Sequence, residues 1–223
     1  LVEEGVPTVL LQGEAEGIPV SSICPEDRHG MRMLADYVVK RGHRHIALVP
    51  PLLAGSVGRE RLRGMQEGLR AHGLAPTHVS TEAGYVIETG CRACREILAR
   101  APETTCIMAS NDLTALGVIK TAREMGIAVP EQLSVTGADG VELHGQVALT
   151  TFASSTYTSG QKAARLLQAV VDNPDRPPER LRAPVTLVPG ATVAAPTGMQ
   201  THSRSTNRTR YSTHRHHTQE VSS

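Results

Sequence analysis

Met108-Ala109-Ser110-Asn111-Asp112-Leu113-Thr114-Ala115-Leu116-Gly117, followed by Gly126-Ile127-Ala128-Val129-Pro130-Glu131-Gln132-Leu133-Ser134-Val135-Thr136-Gly137-Ala138-Asp139, decides the fold of this 223-residue chain. An apolar strand, Cys106 to Ala109, runs into Asn-Asp, where an asparagine side chain can satisfy the free N–H groups that open a helix. The helical pattern continues from Leu113 to Met125 and stops at Gly126, the residue type best suited to the left-handed turn that ends a helix. A second apolar strand, Leu133 to Thr136, then delivers Asp139. Two polar groups therefore stand at the carboxyl ends of neighbouring strands, where open α/β sheets bind ligands.

The same unit repeats upstream. Strand Ile46 to Val49 leads to a helix from Arg59 to His72, with Leu62, Met65 and Leu69 inward and Gly73 as its stop. Strand His78 to Thr81 leads to a helix bearing Ile87, Cys91, Cys94 and Leu98 on one face. Before these come short strands at Val6 to Leu11 and Ile18 to Ile23, and a helix from Asp27 to Arg41 with Met31, Leu34, Ala35 and Val38 on one face. After Asp139, Leu149 to Phe152 reads as a short strand or extended crossover. Gly160, Ala164, Leu167 and Val171 define another amphipathic helix, Pro177-Pro178 breaks the chain, and Val185 to Val188 is a last strand. Four strands separated by helices imply a parallel sheet covered on both faces, and the element order fits two α/β lobes joined by crossing strands.

Composition narrows the function classes. With 39% apolar residues and a net charge of +1, the chain can bury a sizeable core. The longest apolar run, Ile46 to Ala54, is far shorter than the roughly 20 residues that cross a bilayer. The start, Leu1-Val2-Glu3-Glu4, has neither a secretory-signal pattern nor an initiator methionine. Residues 199–223 carry +3 and the preceding body −2, so the body lacks a basic footprint for nucleic acid. The tail, with His214, His216 and His217, invites a nucleic-acid arm or a metal site; a disordered, solvated extension or a frame error is the plainer reading, and no function is assigned to it. Cys91 and Cys94 form a Cys-x-x-Cys on a helical face rather than at a helix start, and no second pair exists to complete a zinc site, so they read as core. Cys24 and Cys106 read as small hydrophobes in a reducing, cytoplasmic setting.

The strand-to-helix connections share one rim of the sheet, and each offers a polar or aromatic group: Arg61, Tyr85, Asn111 with Asp112, and Asp139. Arginine presents a planar fork of donors, asparagine a donor and an acceptor, and an ionised aspartate two accepting oxygens. Such a set suits hydroxyls, which donate and accept at once, and Tyr85 can cover an apolar ring face. Structural roles compete: Asn111 can cap its helix, and Asp112 can complement the helix dipole at least as readily as touch a ligand. No nucleophile-base-orienter set, phosphate-cradling loop or metal-ligand cluster stands in the body, so no catalytic residue, cofactor or metal is expected.

Several segments together resemble the lactose-repressor/galactose-repressor (LacI/GalR) family of transcriptional regulators. They are Arg41-Gly42-His43-Arg44-His45-Ile46-Ala47, Arg61-Leu62-Arg63-Gly64-Met65, Gly84-Tyr85 with Gly90, Ser110-Asn111-Asp112 with Ala115 and Gly117, and Val129-Pro130 through Gly137-Ala138-Asp139; Leu149-Thr150-Thr151 resembles the crossover that follows. The likeness spans about residues 1 to 197. It implies a two-lobed, periplasmic-binding-protein-like (type I) α/β fold with parallel sheets, in which the first lobe is incomplete. Residues 1–42 and 154–183 would form that partial lobe, 43–153 and 184–197 the second lobe, and 198–223 the tail. It further implies Asp27, Arg61, Tyr85, Asn111 and Asp139 as effector contacts, with the ligand held between lobes. Gly140 and Ala153-Ser154-Ser155 depart from the family pattern, which usually carries acidic, amide, Gln or Pro residues there. The implied protein is a cytoplasmic, dimeric repressor's effector-binding module, with a sugar favoured over a nucleoside or purine. Operator DNA would be read only through a helix-turn-helix domain that this chain lacks, so the chain alone is expected to bind DNA weakly or not at all. A sugar-binding component of a transport system is the alternative.

Overall fold

The computed structural model describes residues 2, 4–141 and 147–197. In chain order its elements are β1 (Val9–Leu11), β2 (Ser21–Pro25), α1 (Asp27–Lys40), β3 (Ile46–Leu48), α2 (Ser56–Arg70), β4 (His78–Val79), α3 (Ile87–Arg100), β5 (Cys106–Met108), α4 (Asp112–Glu124), β6 (Ser134–Thr136), β7 (Thr151–Ser154), α5 (Thr156–Asp172), β8 (Arg180–Ala183) and β9 (Val185–Val188). The basic tail and His144 lie outside the described residues.

The four repeating strands pair in parallel in the order β4-β3-β5-β6. Alternation splits their side chains between two cores. Ile46, Leu48, Cys106 and Met108 face Met31, Leu34, Val38, Met65 and Leu69 of α1 and α2. Ala47, Ile107 and Val135 face Cys94, Ile97, Val118 and Ile119 of α3 and α4. With both faces covered, β3, β5 and β6 are buried at every position, as a parallel sheet requires.

Small residues set how closely the covering helices approach. A Cβ on Gly64 would lie 2.4 Å from the Arg28 carbonyl oxygen of α1, and one on Gly68 would lie 2.5 Å from Ala35 Cβ. On the other face, Gly90 and Gly117 lock α3 against α4, since a Cβ on either would come within 2.0 Å of a carbonyl oxygen of the facing helix. This crossing turns α3 from the expected orientation. Its buried side is Gly90, Ala93, Cys94 and Ile97, whereas Ile87 is exposed and Cys91 and Leu98 are half-buried.

A second parallel sheet has the order β1-β2-β8. Strand β8 lies past the Pro177-Pro178 break, in a stretch to which the sequence reading assigned no element; its Arg-Leu-Arg-Ala alternation turns Leu181 and Ala183 toward Ile23 while the arginines face outward. The α5 face is also displaced by one residue: Ser159, Ala163 and Leu166 pack inward, while Leu167 and Val171 of the expected stripe are exposed. Strands β7 and β9 pair antiparallel between the sheets and place Phe152 and Val185 in the core with α1. That packing bears on the division at residue 42, which groups α1 with the first lobe. Helix α1 springs from β2, but its buried face sits on β3, β5 and α2.

Candidate functional site

The order β4-β3-β5-β6 places the switch in winding direction between β3 and β5, and the crevice beyond their carboxyl ends is the expected ligand position. Arg61 spans that crevice. It lies on the buried face of α2 with Gly58, Met65 and Leu69 and is only 6% exposed. A charge so placed needs partners, and three of its five N–H groups have them. Nε donates to Asp27 Oδ1 at 2.7 Å, Nη1 to the Ser110 carbonyl at 3.0 Å and Nη2 to Asp139 Oδ1 at 2.5 Å. The other two N–H groups have no hydrogen-bond partner among the described residues. Behind the guanidinium lies the chain's single phenylalanine, Phe152, with its ring centroid 5.8 Å away; its ring packs into the space left by Gly30 of α1.

Asp27, the first residue of α1, is 3% exposed. Burial pushes its carboxyl above the ordinary value, against the pull of Arg61. Burial opposes the Arg61 charge as well, but Asp27 and Asp139 outweigh it and raise its pKa, so the guanidinium stays charged. Asp139 follows β6 and has φ +116°, a left-handed value rare outside glycine, while its side chain stays 35% exposed.

Asn111 and Tyr85 join this centre from its edge. Asn111 is the N-cap of α4: its Oδ1 accepts from Thr114 N at 2.9 Å, and its Nδ2 donates to the Tyr85 carbonyl at 3.0 Å. The capping role weighed from sequence is thus present, and both ends of the amide already have a partner. Tyr85 is half-buried, with its hydroxyl 3.4 Å from the Leu52 carbonyl. Burial raises the Tyr85 pKa, opposed by Arg61 and reinforced by Asp27 and Asp139, which places the phenol within their field. The Asp112 carboxylate accepts from Val141 N and from Thr151 Oγ1.

A cavity of about 330 Å³ collects Asp27, Arg61 and Asp139 with Gln12, Phe152 and Ser154. Its volume lies within the range of small-molecule sites. Gln12 closes it from the end of β1, so the cavity lies between the two sheets. Tyr85 and Asn111 do not line it. Gln12, Phe152 and Ser154 were absent from the expected set, although the strand-end rule, extended to β1, points to Gln12. A neighbouring cavity of about 640 Å³ lies over the outer sides of α1 and α2. Four of its five arginines are paired with acids, Arg28 with Glu67, Arg59 with Glu16, Arg63 with Glu60 and Arg182 with Glu14, and Arg32 is the fifth.

Among the described residues no group of three or more His, Cys, Asp or Glu side chains is arranged to hold a metal ion. Cys94 and Cys106 are buried, and burial pushes the Cys94 thiol up to about 12. No helix among the described residues is long and apolar enough to cross a membrane.

Residues 35–193 match the family described as periplasmic binding protein-like domain. The chain is 32% identical over 187 residues to the HTH-type transcriptional regulator CelR of Thermobifida fusca, covering 81% of this chain and 55% of CelR. In structure it is similar to a LacI family transcriptional regulator from Enterococcus faecium with bound ribose, with a TM-score of 0.79 and 26% identity over 88% of this chain and 74% of that one. It is also similar to the CelR–cellobiose complex, with a TM-score of 0.77 and 28% identity over 85% of this chain and 60% of that one. The chain spans about half the length of the curated relatives it matches. Sheet order, strand-end site and sequence likeness agree, and the chain belongs to the periplasmic binding protein-like domain family, in the form shared with LacI-family transcriptional regulators.

Proposed function

We propose that this chain is the effector-binding and dimerisation module of a LacI-type transcriptional repressor, and that its effector is an uncharged polyhydroxylated molecule, a sugar before a nucleoside or purine. The observation that carries this reading is Arg61, buried on α2 and bonded at once to Asp27 and Asp139 beside a cavity at the strand ends. Two free N–H groups and the remaining carboxylate lone pairs suit hydroxyls that donate and accept. One guanidinium against two carboxylates leaves an excess negative charge, which repels phosphate and favours a neutral ligand. Regulators of similar structure hold ribose and cellobiose, which supports a sugar.

In this reading the effector shifts an equilibrium between two lobe arrangements by binding one better than the other. A helix-turn-helix domain attached to the module reads operator DNA in the cytoplasm, as a homodimer. Tyr157, Leu167 and Val171, exposed along one side of α5, give the dimer an apolar surface. No catalytic activity is proposed. A thermal-shift screen of ribose, cellobiose, other sugars, their phosphates, nucleosides and purines tests the effector class. Stabilisation by a neutral sugar and none by its phosphate is expected; stabilisation by phosphorylated compounds alone overturns the charge argument.

A further inference from the structure

Asp112 adjoins the site without lining the cavity. It is the first residue of α4 and 0% exposed, and its carboxylate accepts from Val141 N at 2.7 Å and from Thr151 Oγ1 at 2.7 Å. Its own N–H donates to the Ala138 carbonyl at 2.8 Å. A Cβ on Gly137 would lie 2.3 Å from Asp112 Oδ1, so the chain passes directly over the carboxylate on its way to Asp139. Beyond Asp139, the Gly140 N–H reaches Thr151 Oγ1 at 3.4 Å. Residues on both sides of Asp139 are thus tied to Asp112, Ala138 to its backbone N–H and Val141 to its carboxylate, and Asp139 itself is held at φ +116°, a conformation that persists only where its surroundings impose it.

We propose that Asp112 is a positioning residue: its carboxylate bends the segment from Gly137 to Val141 so that Asp139 faces Arg61. For its effect on binding the proposal rests on Arg61 and Asp139 contacting the effector; for the bend itself it does not. Burial pushes the Asp112 carboxyl up to about 6; the Thr151 hydroxyl and the Val141 amide pull it down, Asp139 raises it and Arg61 lowers it. If packing alone mattered, an amide would fill this place without burying a charge. The charge strengthens the bond to Val141, since a charge-assisted hydrogen bond is roughly twice as strong as a neutral one. When the carboxyl is protonated, its O–H can donate to Thr151, whose hydroxyl turns to the Phe152 carbonyl 3.3 Å away, and Val141 is left on a neutral acceptor.

The test uses the full chain. In nitrogen-15 NMR of the wild type from about pH 5 to pH 8, the Val141 amide is expected to shift with a midpoint near 6, and the shift is expected to vanish in Asp112→Asn. In calorimetric titrations at neutral pH with ribose and with cellobiose, Asp112→Asn is expected to bind roughly tenfold more weakly, the loss of a charge-assisted bond, while its thermal midpoint does not fall. A purely structural role would lower both. A Val141 amide that does not titrate, or that titrates alike in Asp112→Asn, overturns the proposal, as does a variant that binds either sugar as tightly as the wild type. If neither sugar binds the wild type, those sugars are refuted as effectors, while the Val141 titration still decides whether Asp112 holds the bend.

Discussion

The two sheets of this molecule are built from similar units and end in opposite conditions. The sheet β4-β3-β5-β6 has helices on both faces, and its three strands β3, β5 and β6 show no exposed position. Among the described residues the sheet β1-β2-β8 has a buried apolar cluster of Ile23, Leu166 and Ala183, and α5 over it exposes Tyr157 at 76% and Val171 at 50%. The first sheet is held by packing. The second is also tied to it by polar links, from Glu14 N to Ser56 Oγ at 3.1 Å and from Arg59 to Glu16. The site sits where these two regimes meet, so a packed framework supplies Arg61 and Asp139 while the thinner sheet supplies Gln12.

Removing the ion pair at that junction is the strongest way to break the contrast. Arg61→Ala leaves Asp27 buried without its partner, and a loss of about 3–5 kcal/mol is expected by urea denaturation. A loss below about 1 kcal/mol would show that the site bears little of the fold's stability.

Next come two carboxylates whose contributions to stability run in opposite directions with pH. Asp112, raised from 3.8 to about 6, binds more protons folded than unfolded, so its contribution falls as pH rises from below 3.8 through 6. The span corresponds to about 3 kcal/mol. Denaturation of wild type and Asp112→Asn across this window should therefore diverge, with the variant gaining on the wild type as pH rises. Glu96 behaves in reverse. It accepts from His78, Ser80 and Thr81, and these bonds overcome its burial to hold it at about 2, below the ordinary 4.5. Its stabilisation is present above 4.5 and is lost as pH falls toward 2, so Glu96→Gln should cost stability at neutral pH and converge on the wild type in acid.

Glycine substitutions compare the packing of the two regions directly. Gly117→Ala drives a methyl group into the Ile87 carbonyl oxygen, and a cost of about 1–3 kcal/mol is expected from overpacking. Gly160→Ala in α5 meets nothing within 4 Å and should stabilise by about 0.5–1 kcal/mol through helix propensity alone. Equal effects at the two positions would remove the distinction. The smallest effect is expected for Leu167→Ala, which should stay within about 0.5 kcal/mol because the side chain is already exposed, whereas its neighbour Leu166→Ala should cost about 2 kcal/mol or more.

The same contrast explains what could be read from the chain. The four-stranded sheet was legible because its central strands β3 and β5 are continuous apolar runs, and glycines mark the ends of its helices: Gly42, Gly73 and Gly126 all have positive φ. The faces of α3 and α5 were misjudged because hydrophobic spacing favours large residues, whereas the inward side of α3 is chosen by the close approach at Gly90 and Gly117. Leu167 and Val171 form a real stripe on α5, but the sheet beneath takes Leu166. Strand β8 escaped notice because its outward arginines mask a two-residue period. At the site, residue type and strand-end position pointed to Arg61 and Asp139, and the family resemblance added Asp27, which bonds Arg61. The same reasoning left open that Asn111 caps α4, and it missed Phe152, which reaches the cavity from the crossover strand β7.

The central claim is that the cavity holding Asp27, Arg61 and Asp139 binds a neutral polyhydroxylated effector. Asp139 gives its most direct test, because its side chain is 35% exposed and its replacement leaves the cores intact. Isothermal titration calorimetry with each stabilising compound from the screen should show binding to the wild type and at least about a tenfold loss in Asp139→Asn, the cost of one charge-assisted hydrogen bond. Affinity in Asp139→Asn equal to that of the wild type would contradict the account.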